Sequence, residues 1–510
     1  MQGGETGNQM TGKDNTRCGM GQRLQRSFKM VGHGWALWRT ARGVSGMALA
    51  LAAGAALAQV NRAPENILPA PKPTAPAIPV PPVNQQPAIP APSSQQPATM
   101  PPPTTQAPAA PVIEPDLSVV EPVVNWQVAD AQALAKVIEG IGAHGLIPAD
   151  YQLADLRAAI LAGPGAALDA QASRSFAWLI EDMRDGRTRY DSRHQWFVVD
   201  PDVDARPTAT VMAEALASKD IAGAIASLAP THPDYAKLKD ALAKTPAADK
   251  ATRSLIQVNM DRWRWLPRDL GKFYLLTNVP EFQLRLTVDN EIIRSYRTIV
   301  GKPGRTATPQ LAEVVEGVVF NPTWTVPQSI VKGEGLGARL VGNPAEAARE
   351  GYKVTKAKDG TITVVQQPGP KNALGFMKLD MPNEHAIFLH DTPTRQLFNS
   401  TFRALSHGCV RTERAMELGM TMGILGSGKS TDEMVEIVKS GKYTRVPMTK
   451  TFPIYIMYFT MASDITGKMG TFNDLYQRDA PVLASFAAPR QPWDGKRKTT
   501  EKVIKLDNPL

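Results

Sequence analysis

Residues 390–411 read HDTPTRQLFNSTFRALSHGCVR, with a histidine at one end and Cys409 between His407 and Arg411 near the other. The full chain of 510 residues holds two cysteines, so a thiol set between His407-Gly408 and Val410-Arg411 calls for a reason. A thiol becomes a nucleophile when a neighbour takes its proton or lowers its pKa, and histidine is the usual partner. His407 is two residues away on a local turn, and its ring need not reach the sulfur. His390 ends the apolar run AIFLH, which reads as a strand, and the intervening segment is long enough to fold back and bring it beside Cys409. Gly408 lets the backbone turn tightly and leaves its N–H accessible, as an oxyanion hole requires. A helix beginning at 412 would favour a thiolate through its N-terminus. Arg411 offers a donor fork that matches a carboxylate.

Other readings of the same residues stand beside this one. Cys409 can be a small buried hydrophobe. His407, Cys409, His385 and His390 supply three nitrogens and a sulfur acceptable to zinc, although no second cysteine or familiar spacing supports a metal. His407 can simply stabilise its turn, and Arg411 can pair with Glu413.

Outward from the motif, composition divides the chain. Residues 43–58, GVSGMALALAAGAALA, follow Arg39 and Arg42 and end in Ala-Leu-Ala, the pattern of a secretory signal peptide. An uncleaved anchor is the alternative reading, since sixteen residues fall short of the ~20 that a span needs. The basic region ahead of this run is long, and a start at Met20 or Met30 gives ordinary proportions. Residues 1–58 carry seven Lys/Arg, two acids and Cys18, so their removal lowers the formal charge from +9 to about +4 and leaves Cys409 as the only cysteine. That charge suits an anionic polymer and is too weak to argue nucleic-acid binding. Without a second cysteine, an exported thiol is either inert or kept for its reactivity. Residues 59–123 are a linker: 19 prolines and no glycine in residues 64–122 predict a semi-stiff, disordered spacer.

Residues 124–255 read as helices, with apolar residues at 3–4 spacing in WQVADAQALAKVIEGIGAHGL and SRSFAWLIEDMRDGR and with Gly145 and Gly186 at helix ends. From 256 to 480 strands dominate, including FYLLTNVPEFQLRLTVDNEIIRSYRTIVG with a hairpin turn at Asp289-Asn290, and later TITVVQQ and FPIYIMYFTMAS. Residues 481–510 are polar, and a loose tail is expected. The class is α+β, a helical N-terminal domain followed by a β-rich one. GILGSGKS at 423–430 matches the phosphate-loop pattern by letter. Its upstream neighbour reads as helix instead of strand, and Ser430 with Glu433 reads as a capping box, so a helix–loop–helix connection is expected.

The 390–411 stretch resembles the signature of the L,D-transpeptidases, whose catalytic domain is called YkuD-type. VNMDRWRWLPRDLG, NVPEFQLRL, IVGKPGRTATP, NPTWTVPQSI, GPKNALGFMK and FPIYIMYF extend the likeness to the larger periplasmic, YcbB-type subgroup, over about residues 125–480. The resemblance implies acyl transfer on peptidoglycan in the periplasm, within wall synthesis and cell shape. Cys409 would attack the bond between diaminopimelate and the terminal D-Ala of a tetrapeptide stem, and His390 would be the base. Backbone N–H groups near Gly408 and Cys409 would hold the oxyanion. Arg411, Ser406, His407 and Trp324 would line the substrate site, with no metal or organic cofactor. The insertion at about 331–368 matches the family's capping segment, and carbapenem acylation of Cys409 is implied. The subgroup's small peptidoglycan-binding domain, expected after LAPTHPDYAKLKDAL, has no counterpart here. Open alternatives are an L,D-carboxypeptidase, transfer of stems to an outer-membrane protein, and a non-catalytic wall-binding protein.

Overall fold

The computed structural model describes residues 122–199 and 205–492. The expected signal peptide and the linker up to residue 121 lie outside them, as do the last eighteen residues of the tail. Ala-rich segments with apolar residues three and four apart form helices because that spacing puts one face inward. α1 (Val128–Gly140), α2 (Leu153–Ala162), α3 (Ala166–Asp185), α4 (Thr208–Ser218) and α5 (Ile221–Ala226) share one core, in which Leu134, Ile138, Phe176, Leu179, Ile180, Met183 and Met212 have no exposed surface. Gly186 stops α3 at φ +92°, where a Cβ would lie 2.5 Å from the Trp265 indole nitrogen. Only glycine both turns there and admits that ring.

α6 (Pro233–Lys244) and α7 (Lys250–Arg264) follow, joined by the short connection Thr245–Asp249. No further domain separates them. A boundary at 255 falls inside α7, which runs through to Arg264. Its Trp263 shares a second core with Tyr274, Leu276, Tyr455 and Met457 of the strands, so one helix carries both the helical layer and the back of the sheet.

The strands are β1 (Phe273–Asn278), β2 (Gln283–Val288), β3 (Glu291–Gly301), β4 (Leu311–Phe320), β5 (Trp324–Thr325), β6 (Tyr352–Lys356), β7 (Ile362–Gln366), β8 (Met377–Asp380), β9 (Leu389–His390), β10 (Ala404–Ser406), β11 (Val410–Thr412) and β12 (Thr444–Met457). Two short strands, β13 (Met461–Ser463) and β14 (Met469–Thr471), form a separate hairpin. Asp289 and Asn290, both at positive φ, make the two-residue turn between β2 and β3. Nine strands pair in the order β10-β3-β11-β9-β8-β4-β12-β1-β2, and β3 also bonds β2, so the ladder closes on itself. The enclosed core includes Leu284, Val318, Phe320, Met377, Leu389, Val410, Phe452 and Ile456.

α11 (Ala415–Ser427) packs Leu418 and Met422 into that core. It ends on Gly428 in the left-handed region, and Ser430 opens α12 (Thr431–Lys439) with a full capping box to Glu433. The GILGSGKS match is therefore a helix–loop–helix joint, as its flanks predict. β5, β7 and β6 form a separate sheet that packs with α8 (Gln328–Gly333), α9 (Leu336–Gly342) and α10 (Pro344–Arg349) around Val331, Leu340 and Val364. This cap runs from Trp324 to Gln366 and starts earlier than the expected 331.

The C-terminal expectation needs correction. Residues 479–487 form α13 (Asp479–Ala487), and Phe486 packs against both the helical core and the helix–sheet core. Beyond it, the buried Arg490 guanidinium pairs with Glu181 at 2.6 Å and Asp182 at 3.1 Å. Residues 479–492 are thus held by packing and a buried ion network, and the rest of the expected tail lies outside the described residues.

Candidate active site

β9 and β11 lie side by side and parallel, with Val410 opposite Leu389 and Arg411 opposite His390. Val410 donates its N–H to the Phe388 carbonyl at 3.1 Å, which carries the register back to Cys409. The long segment between them folds through a 3₁₀ turn at Arg395–Asn399 and β10, so residues far apart in sequence become diagonal neighbours. Such neighbours sit roughly 7–8 Å apart between backbones, within reach of side chains. On the other side of β9, Lys378 of β8 stands opposite His390. Lys378, His390 and Arg411 therefore form one rung across three strands. Leu389 and Val410, one residue out of phase, have no exposed surface and point into the core.

His390 is 5% exposed, and its Nδ1 lies 2.5 Å from the carbonyl oxygen of Asp391. A carbonyl only accepts, so Nδ1 carries the proton and Nε2 keeps its lone pair. Burial, then the charges of Arg411 and Lys378, push the imidazole pKa down to about 3, against the pull of the Asp391 and Leu374 carbonyls. The ring is neutral at pH 7. Cys409 is half-buried, and its sulfur donates to the Ala386 carbonyl at 3.6 Å. Burial raises its thiol pKa, outweighing the Phe388 N–H, Lys378 and Arg411, which all favour the thiolate. The resting pair is thus a neutral thiol and a neutral imidazole. A helix N-terminus does not assist it: the residues after Cys409 form β11, and α11 begins only at Ala415.

The turn is braced from within. Ser406, 2% exposed, donates through Oγ to the Cys409 carbonyl at 2.6 Å and accepts from the Gly408 N–H at 3.1 Å. Thr308 donates to the Gly408 carbonyl at 2.7 Å and accepts from the Gly301 N–H at 2.8 Å. Gly408 sits at φ +123°, with Ile387 Cδ1 3.2 Å from where a Cβ would be. Because Ser406 takes the Gly408 amide, that N–H is not free as the sequence reading expects. The neighbouring Cys409 amide has no hydrogen-bond partner among the described residues.

The remaining candidates separate. Arg411 does not pair with Glu413, whose carboxylate is held by Arg297 at 2.9 Å. Arg411 has no acid partner among the described residues, and burial pulls its pKa down. His407 is half exposed and reaches across to the cap, with Nε2 2.8 Å from Glu334. Trp324 packs into the cap's core. His385 packs at a tilt against Phe197, ring centres 4.0 Å apart and planes 35° from parallel. The rings proposed for zinc thus have separate partners, and no group of three or more His, Cys, Asp or Glu side chains among the described residues is placed to hold a metal. Lys378 and Thr308 escaped the sequence reading. Lys378 carried a usable signal, because Met-Lys-Leu-Asp at 377–380 alternates core and outward residues.

Two family descriptions match the chain: "L,D-transpeptidase catalytic domain" over residues 272–418 and "Scaffold domain" over residues 125–242. A Haemophilus influenzae protein named "Putative L,D-transpeptidase" is 28% identical over 242 residues, which span 44% of this chain and 48% of that one. Among solved structures, an L,D-transpeptidase from Mycobacterium smegmatis is 13% identical, covering 37% of this chain and 59% of its own at a TM-score of 0.19. An L,D-transpeptidase in complex with imipenem gives 13%, 37%, 59% and 0.18. These structural likenesses are too distant to bear on the site.

Proposed function

We propose that this chain, which carries an L,D-transpeptidase catalytic domain at residues 272–418 behind a scaffold domain at 125–242, transfers acyl groups on peptidoglycan through a thioester on Cys409. The observation that carries the reading is the β9–β11 register. It puts a half-buried thiol diagonal to a buried, neutral histidine whose Nδ1 is fixed by the Asp391 carbonyl.

The steps follow from those protonation states. The thiol proton moves to His390 Nε2 as sulfur attacks the carbonyl carbon of the stem's third residue, diaminopimelate. The Cys409 amide, unpartnered in the turn, donates to the oxyanion. Collapse breaks the carbon–nitrogen bond, and His390 returns the proton to the departing D-Ala amine, leaving a thioester. The side-chain amine of a second stem then attacks, His390 takes its proton, the carbon–sulfur bond breaks and Cys409 regains its hydrogen. The product is a 3–3 cross-link. A neutral imidazole is the form able to accept a proton, and His390 is in that form at pH 7. The apolar run at 43–58 and the proline-rich segment support a periplasmic place for the reaction, by cleavage or as a tether.

Incubation with disaccharide-tetrapeptide followed by mass spectrometry tests the outcome. Cross-linked dimers support transpeptidation. Tripeptide alone redirects the reading to a carboxypeptidase, and a stem joined to an outer-membrane protein redirects it to protein anchoring. No consumption of donor overturns it.

A further inference from the structure

Two cations flank His390 on one rung, Lys378 on β8 and Arg411 on β11. Neither has an acid partner among the described residues. The carboxylates nearby are already engaged: Asp380 with Arg445 at 2.6 Å, Asp391 with Arg395 at 3.1 Å and the Phe376 N–H at 3.0 Å, and Glu413 with Arg297. The Lys378 ammonium is held 4.5 Å above the Phe388 ring, beside the residue level with Cys409. Its charge acts on both the His390 ring and the Cys409 thiol, which places it at the reaction centre. Partly buried cations left unpaired cost free energy, and a site keeps them when an anion arrives to pair with them.

We infer that Lys378 and Arg411 form a two-cation clasp for a donor carrying two carboxylates, and that Lys378 is a specificity-determining residue that reads the farther one. The inference rests on the proposed function, in which the donor's diaminopimelate carries a free side-chain carboxylate and its D-Ala a terminal one. Arg411, on the strand that continues from Cys409, takes the terminal carboxylate next to the bond that breaks. Lys378, two strands over and so about 10 Å away across the sheet, takes the carboxylate at the far end of the diamino acid.

The test is binding and turnover of two tetrapeptide stems, one with that side-chain carboxylate free and one with it converted to the amide. Isothermal titration uses Cys409→Ala protein, so it needs no turnover. The clasp predicts that amidation weakens binding about 10–100-fold, the scale of a charge-assisted hydrogen bond. Lys378→Met in the same background binds both stems alike, at the amidated level. In active protein, Lys378→Met raises KM on the free acid and removes the KM difference between the two stems, whereas Lys378→Arg restores part of the discrimination. Equal binding of both stems, or discrimination that survives Lys378→Met, overturns the clasp. Discriminating binding without turnover of either stem leaves the clasp standing and overturns the acyl-transfer reading.

Discussion

His390 stands directly across the parallel β9–β11 pairing from Arg411, and its Nδ1 is fixed 2.5 Å from the carbonyl of the very next residue, Asp391. The neighbouring strand thus keeps the ring beside a positive charge while the backbone fixes its tautomer. The imidazole stays uncharged until about pH 3.

That protonation state predicts how the thiol reacts. Because burial raises the Cys409 pKa, the thiolate is the minor form at pH 7. Alkylation by iodoacetamide should rise about tenfold per pH unit through pH 7–9, since each unit raises the thiolate fraction tenfold. A rate already level from pH 5 contradicts a neutral resting pair.

The same histidine couples folding to pH. Its folded pKa lies below the unfolded 6.5, so below that value the unfolded chain binds a proton that the folded chain refuses. Its stabilising contribution is complete above pH 6.5 and is lost progressively as pH falls toward 3. Thermal melts of His390→Gln should show a shallower loss of stability across that window than the wild type. The substitution should also cost about 10²–10⁴-fold in turnover.

The turn gives a local prediction. Ser406→Ala removes one hydroxyl that serves both the Gly408 amide and the Cys409 carbonyl, and should cost about 1–3 kcal/mol. Gly408→Ala forces a side chain to φ +123° against Ile387, for a further strain of about 1–3 kcal/mol. Chemical denaturation measures both, and both variants should lose turnover because Cys409 shifts.

The C-terminal strap predicts a larger effect. Arg490→Met leaves Glu181 and Asp182 buried without their cation, and breaking such a pair costs about 3–5 kcal/mol. Glu181 is already pushed up to about 7 by burial. Losing Arg490 raises it further, so the folded variant binds protons that the unfolded chain releases. The loss should therefore shrink as pH falls toward about 7 and stay constant below it, where both proteins hold that proton, visible as melting temperatures that converge on the alkaline side of 7.

The His407–Glu334 contact joins the reactive turn to the cap at its exposed rim, and should be worth about 0–1 kcal/mol. Glu334→Gln should leave global stability nearly unchanged while hydrogen exchange speeds up in residues 328–366. Unchanged exchange there contradicts a tethering role.

Much of this was legible in the sequence. Helical spacing, the Asp289-Asn290 hairpin and the capping box at Ser430 all followed from local chemistry. What was not legible is set by pairing between distant strands. Lys378 joins the site only because β8 pairs with β9, and Glu413 is taken from Arg411 by Arg297 on β3. The expected thiolate failed because burial raises the Cys409 pKa, and because the chain after it forms a strand before its helix starts. Arg490 fell within the expected loose tail because nothing local reveals acids on α3, some three hundred residues earlier.

The central claim is that Cys409 is the nucleophile. Intact-protein mass spectrometry after incubation with a carbapenem, followed by peptide mapping, tests it most directly. One adduct per chain on the peptide containing Cys409, absent from Cys409→Ala, is the predicted result. An adduct elsewhere, or one that persists in Cys409→Ala, contradicts it.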